Sequence, residues 1–203
     1  MSSIKVIIFD FDGTLYCGED FKSVPQYHKN AIESILDEEK LKDFIEKYPQ
    51  YYNMSSYKIA EALQREYLMA KDYVAYERRH LFPLDLENIT PMNWDFLYEL
   101  SQKIPLVIVS NSNLEHQKFY LQHFGLNLNI FSAFYENTFD TPNGKGDYYV
   151  DVMKKYNCRP DEVLVIGDSY EPDILPAINL GMRAYHIKTI DQVKDVINKI
   201  INE

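Results

Sequence analysis

The sequence predicts an α/β protein built on a doubly wound parallel sheet, with a small all-helical segment inserted after the first strand. Three observations predict it. Short Val/Ile/Phe/Leu-rich runs at Ile4–Phe9, Pro105–Val109 and Glu162–Ile166 alternate with stretches whose apolar residues recur at helical spacing. Within them Val6–Phe9, Leu106–Val109 and Val163–Ile166 are apolar throughout rather than alternating, the pattern of strands covered on both faces. Between Tyr16 and about Leu84 the pattern is helical alone, with no convincing strand.

The first run ends in Asp10-Phe11-Asp12-Gly13-Thr14. Gly13 permits a sharp turn there, so two acids sit where a buried strand opens into a loop, the sheet edge at which such folds bind ligands. Residues 16–84 form the helical insertion. Ala31, Ile32, Ile35 and Leu36, then Leu41, Phe44 and Ile45, then Ile59, Leu63 and Tyr67 mark successive apolar faces, and Pro25, Pro49 and Pro83 punctuate them. Residues 1–15 and 85–203 make the core domain. Thr90-Pro91 reads as a helix start, with Thr90 as cap. After Pro105–Val109 come Ser110-Asn111-Ser112-Asn113, a helix over Leu114–Phe124 closed by Gly125, a weaker strand over Ile130–Tyr135 and a helix over Asp147–Tyr156. The strand Glu162–Ile166 ends in Gly167-Asp168. A helix over Ile174–Leu180 closed by Gly181, a short strand Arg183–Ile187 and a final amphipathic helix complete the chain. Strand and helix alternating in this way imply right-handed crossovers.

Composition bounds the function. The 203 residues carry a formal net charge of −10, with 46% hydrophobic and 26% charged residues, the proportions of a folded domain. So acidic a surface disfavours non-specific binding to nucleic acid or to anionic membranes. The two cysteines, Cys17 and Cys158, form no CxxC pair, which fits reduced thiols and a cytoplasmic setting. The amino terminus runs straight into the first strand, so no signal peptide is expected. No apolar stretch approaches a membrane span.

Paired carboxylates at a strand mouth repel one another unless a cation offsets them, and Mg2+ suits hard oxygen ligands. Ser110 and Asn111 follow a buried strand, where a hydroxyl and an amide can donate to phosphate oxygens; both types also favour turns and helix caps. Lys145, in Pro142-Asn143-Gly144-Lys145-Gly146-Asp147, reads as part of a flexible loop from which a lysine reaches a phosphate as a point charge, or as a solvated surface residue. Gly167-Asp168 with Asp173 five residues on is a second acidic strand end, and Glu171 and Asp173 also suit a helix start.

Asp-Phe-Asp-Gly-Thr, Ser110-Asn111, Lys145 and Gly167-Asp168 with Asp173, in this order and at strand ends, resemble the four motifs of the haloacid dehalogenase superfamily of phosphoryl-transfer enzymes. The third motif departs from the pattern, since Gly146 stands where proline often follows the lysine. The resemblance implies a Rossmann-like core with a helical cap inserted after the first strand. It implies Asp10 as nucleophile forming an aspartyl-phosphate and Asp12 as general acid and base, in surroundings that raise its pKa. Mg2+ would be held by Asp10, the Asp12 carbonyl and Asp168, with Asp173 orienting the metal's surroundings. Ser110, Asn111 and Lys145 would hold the phosphoryl oxygens.

The aspartate at position 12 favours phosphate chemistry over carbon–halogen cleavage, because a departing halide needs no proton. The expected activity is a Mg2+-dependent phosphatase acting on a small phosphorylated metabolite. A phosphomutase of the β-phosphoglucomutase type shares all four motifs, and a catalytically silent binding relative is a third reading. Tyr16, Glu19 and Phe21 are candidate pocket residues. Arg78 and Arg79 are candidates for a second anionic group, and the insertion's many tyrosines form its core or stack on a base or sugar.

Overall fold

The computed structural model describes residues 3–18, 24–80, 89–136 and 141–201. The chain divides into two compact units, Met1–Cys17 with Thr90–Glu203, and Gly18–Ile89.

The first unit is organised by a five-stranded sheet. Its strands are Val6–Phe9 (β1), Leu106–Val109 (β4), Phe131–Tyr135 (β5), Val163–Gly167 (β6) and Arg183–His186 (β7). They lie in the order β5-β4-β1-β6-β7, and every neighbouring pair is parallel. Two shorter strands, Tyr16–Gly18 (β2) and Ile89–Pro91 (β3), form a separate two-stranded sheet, so the stretch expected to be helical alone from Tyr16 opens with a strand. Phe9 is in register with Ile108 on one side and Ile166 on the other. The residues that follow these three strands therefore leave the sheet at one edge, and this alignment gathers Asp10, Ser110 and Asp168.

β1 and β4 are buried at every position. Val6, Ile8, Val107, Val109, Val163 and Val165 pack on one face against Tyr149 and Val152 of helix Lys145–Tyr156 (α7) and Ala177 of helix Leu175–Asn179 (α8). Ile7, Phe9, Leu106, Ile108, Leu164 and Ile166 are equally buried on the other face. The continuous hydrophobicity of these strands thus reflects coverage on both sides.

Two expected helix starts move later in the chain. Thr90 and Pro91 belong to β3 rather than to a helix start, and the amide of Met92 donates to Leu15 O at 2.9 Å, which keeps this segment extended. The following helix, Trp94–Ser101 (α5), is capped instead by Asn93, whose side chain accepts from Phe96 N at 3.1 Å. The expected helix over Ile174–Leu180 is shorter at its start. It follows a wide π-type turn, Tyr170–Ile174, in which the Leu175 amide reaches Tyr170 O; Pro172 has no amide to offer a tighter ladder.

The second unit contains four α-helices among the described residues: Val24–Ile35 (α1), Glu38–Lys47 (α2), Ser56–Tyr67 (α3) and Ala70–Arg79 (α4). Asp37 caps α2 and Ser55 caps α3. Its core holds Ala31, Ile32, Phe44, Ile59 and Leu63 with the tyrosines Tyr27, Tyr51 and Tyr73, so these tyrosines are packing residues. His28 is buried beside Tyr73, its Nδ1 2.8 Å from the phenol oxygen. Pro83, and Glu19 and Phe21 among the candidate pocket residues, lie outside the described residues. Cys17 and Cys158 are both free thiols. Among the described residues no helix is long and apolar enough to cross a membrane.

Candidate active site

The site assembles where β1, β4 and β6 end. The amide of Asp10 donates to Ile166 O at 2.9 Å, so the residue leaves β1 still tied to β6, and it is 8% exposed. The next turn closes through Thr14 N and Leu15 N, both donating to Phe11 O, with Gly13 at φ +78°. Gly13 is required twice over. That backbone angle strains any residue with a side chain, and a Cβ there would collide with the carboxylate of Asp168.

Lys145 is the first residue of α7 and is only 3% exposed. The expected loop lysine is therefore a buried one. Gly144, at φ +56°, turns the chain into the helix. The Lys145 ammonium donates to Asp10 Oδ1 at 2.5 Å and to Asp173 Oδ1 at 2.6 Å. The other oxygen of Asp173 accepts from Ser169 N at 3.0 Å, and its carbonyl accepts from the Tyr149 hydroxyl at 3.0 Å. Both oxygens of Asp173 thus accept within the protein, and the wide turn brings the residue back against β6. Gly167 makes room for it, since a Cβ there would lie 2.5 Å from Asp173 Oδ2.

Asp10, Asp168 and Asp173 each offer a carboxylate oxygen within 4.8 Å of the others. Burial, and then repulsion from Asp173, hold the Asp10 carboxyl well above the usual range against the pull of Lys145. Burial and Asp173 likewise raise Asp168, which shares a hydrogen bond with Asp10. Burial would lower Lys145, but the two carboxylates it bridges outweigh that and hold it protonated. One ammonium among three carboxylates leaves negative charge uncompensated at this point. A hard divalent cation, which takes oxygen ligands, fits that donor set.

Asp12 lies in different surroundings. Its Oδ1 accepts from the Tyr16 hydroxyl and lies 3.2 Å from His116 Nε2, and its Oδ2 accepts from the Ser112 hydroxyl. The protein packed behind this half-exposed carboxyl acts to raise it by desolvation, but the hydrogen bond and charge of His116, then the Ser112 and Tyr16 hydrogen bonds, bring it down to about 2. The expectation of surroundings that raise its pKa is thus reversed in this state: Asp12 is held ionised. Tyr16, expected to line a pocket, is 2% exposed. Its ring packs edge-on to Phe11 at 5.1 Å and stacks with Tyr120 at 6.2 Å.

Ser110 is buried at the end of β4, and its hydroxyl oxygen accepts from Ser112 N at 3.0 Å. Asn111 follows it and is half-buried. Asn113 caps helix Leu114–His123 (α6), accepting from His116 N at 2.9 Å. Arg78 and Arg79 are exposed at the end of α4.

Sequence reasoning missed Ser112 and His116. A signal for His116 existed, because His116 and Gln117 share the buried face of α6 with Tyr120 and Leu121, and polar residues at core-facing positions invite a functional reading.

A sequence model of the haloacid dehalogenase-like hydrolase family matches residues 4–181. No match emerges among curated protein sequences. Solved structures share the fold at low identity. A putative haloacid dehalogenase-like hydrolase from Bacteroides fragilis aligns with a TM-score of 0.60 at 16% identity, over 92% of this chain and 88% of that one. A haloacid dehalogenase-family phosphatase from Thermococcus onnurineus gives 0.58 at 16% identity, over 96% and 98%. A family enzyme from Bacteroides thetaiotaomicron, in complex with magnesium and inorganic phosphate, gives 0.54 at 18% identity, over 92% and 96%.

Proposed function

The chain belongs to the haloacid dehalogenase-like hydrolase family, and from that premise we propose that it is a Mg2+-dependent phosphatase of a small phosphomonoester. The observation that carries this reading is the buried lysine bridge: Lys145 spans Asp10 and Asp173 beside Asp168. A carboxylate nucleophile, a fixed cation and a further pair of acids converge at one sheet edge. The neighbour of like fold that holds magnesium and inorganic phosphate supports the same chemistry.

The carboxylates of Asp10 and Asp168, with the backbone carbonyl of Asp12, would hold the ion, and Asp173 would brace Lys145 behind them. When bound, Mg2+ supplies charge that neutralises the phosphoryl oxygens and restores the ionised form of Asp10. An Asp10 oxygen attacks phosphorus, the bond to the substrate alcohol breaks, and an aspartyl-phosphate forms. Asp12 gives a proton to the departing oxygen. Being ionised at rest, it takes that proton from solvent as the substrate binds and the negative charge of the phosphate raises its pKa by repulsion. In the second half Asp12 accepts a proton from water, the water oxygen bonds to phosphorus, and the acyl-phosphate bond breaks to release inorganic phosphate and Asp10. Lys145, Ser110 and Asn111 position the phosphoryl oxygens, and positioning with charge supplies most of the rate. The helical unit is our candidate for setting which phosphomonoester is accepted.

The test is a panel of phosphomonoesters with Mg2+, read by inorganic phosphate. Release from one or more supports the assignment. Isomerised sugar phosphate without release would establish a mutase instead, and silence on the whole panel with magnesium bound would return the binding reading.

A further inference from the structure

Asp12 is held from one side by a cluster that none of the phosphate-binding residues enters. Tyr16, Ser112 and His116 all reach its carboxylate, each from a different segment: Tyr16 from β2, Ser112 from the turn after β4, and His116 from the first turn of α6. The Tyr16 and Ser112 hydroxyls donate to this carboxylate, and His116 Nε2, 3.2 Å from Oδ1, stands beside them in the place of a third donor. His116 cannot move freely. It is 2% exposed, its ring lies 4.5 Å from Tyr120 and edge-on to Phe11 at 6.0 Å, and its backbone amide is fixed to the Asn113 cap. Tyr16 is packed against Phe11 and Tyr120 as well, but of the three donors only His116 is also fixed by a helix, and Ser112 is a loop residue. The Asp12 side chain itself is 44% exposed, so packing alone does not fix its rotamer; the donors do.

We infer that His116 is a positioning residue for Asp12, fixing the orientation of its carboxyl group beside Asp10 for proton transfer to and from the substrate oxygen. The inference rests on the phosphatase reading, and His116 itself touches no reacting atom. Its loss is felt in proportion to the leaving group's need for a proton. When the leaving alkoxide is poor, the P–O bond breaks only as the proton passes from Asp12 to the departing oxygen. A nitrophenolate leaves without that proton. A misplaced general acid therefore slows the first substrate and spares the second, whereas a distorted site slows both.

The experiment measures kcat/KM, which reports the step in which the alcohol departs, with p-nitrophenyl phosphate and with the alkyl phosphomonoester on which the wild type is fastest. His116→Leu is expected to lower kcat/KM about 100-fold for the alkyl ester, in the range of lost general acid–base catalysis, with the aryl ester within about 3-fold. His116→Gln, whose amide nitrogen reaches the place of Nε2, is expected to recover most of the loss. His116→Asn, polar but too short to reach Asp12, is expected to behave like the leucine variant, and it serves if the leucine variant does not fold. Equal losses on both esters, or no loss on the alkyl ester, would overturn the inference while leaving the phosphatase reading intact. A wild type inert toward both esters and toward the panel would fail at the earlier step and take the inference with it.

Discussion

The ammonium of Lys145 lies 2.5 Å from the carboxylate of Asp10, and both groups are buried. The proposed nucleophile and its countercharge are therefore preassembled 135 positions apart in sequence. For Asp10→Asn we expect turnover to fall by at least about 10⁴-fold, because an amide cannot form the covalent intermediate. The fold should survive, since the amide replaces a carboxyl of the same shape. Phosphate release and a thermal melt check the two halves, and substantial residual turnover would refute the assigned role.

Lys145→Met leaves Asp10, Asp168 and Asp173 facing one another without a cation. Breaking a buried ion pair on one side costs on the order of 3–5 kcal/mol, so the urea midpoint should drop sharply. Mg2+ should recover part of the stability by supplying charge to the same carboxylates. A variant as stable as the wild type without Mg2+ would mean that the cluster is not held by this lysine.

Gly167→Ala should be far more damaging than Gly125→Ala. A Cβ at Gly167 lies 2.5 Å from Asp173 Oδ2 and 2.6 Å from Asp173 Cβ, so Asp173 must move off Lys145. Gly125, at φ +75°, has nothing within 4 Å of its added Cβ and should lose only about 1 kcal/mol to backbone strain. Activity and melting temperature of the two variants give the comparison, and equal losses would contradict it.

His28 sets a pH dependence of stability. Burial lowers its pKa from 6.5 to about 4. The unfolded chain takes up a proton as pH falls through 6.5 while the folded chain refuses it. The stability is complete above 6.5 and is lost progressively down to about 4, by about 3 kcal/mol at most. His28→Phe should flatten this part of the profile relative to wild type, while costing stability at neutral pH through the lost Tyr73 hydrogen bond. Urea midpoints between pH 7 and 4.5 would show it, and parallel profiles would exclude His28 as the source.

Chelation should abolish activity, and Mg2+ should raise the melting temperature of wild type but not of Asp168→Asn. A shift of equal size in the variant would remove Asp168 from the metal site.

Much of this site is legible in the sequence because parallel strands that are apolar throughout must end at a common edge, so the first polar residues after them must meet. Asp10, Ser110 and Asp168 follow from that alone. Lys145 is harder, because Pro-Asn-Gly-Lys-Gly has the composition of a surface turn. What buries its ammonium is tertiary, namely Asp10 and an Asp173 carried inward by the wide turn. Ser112 and His116 are harder still, since their partner lies 100 and 104 positions away and local pattern offers only caps and turns. Thr90-Pro91 shows the same limit on the backbone: a valid helix-start signal lost to an extended pairing and to a better cap at Asn93.

β1 has a hydrogen-bonded neighbour on either side, and β4 and β6 are themselves paired outward to β5 and β7. Fraying from an edge must strip two strands before it can reach Ile7 or Ile8. Their amides should accordingly be among the last to exchange with deuterated solvent. Heat or denaturant would then undo the sheet edge that carries Asp10 only when the sheet itself unfolds.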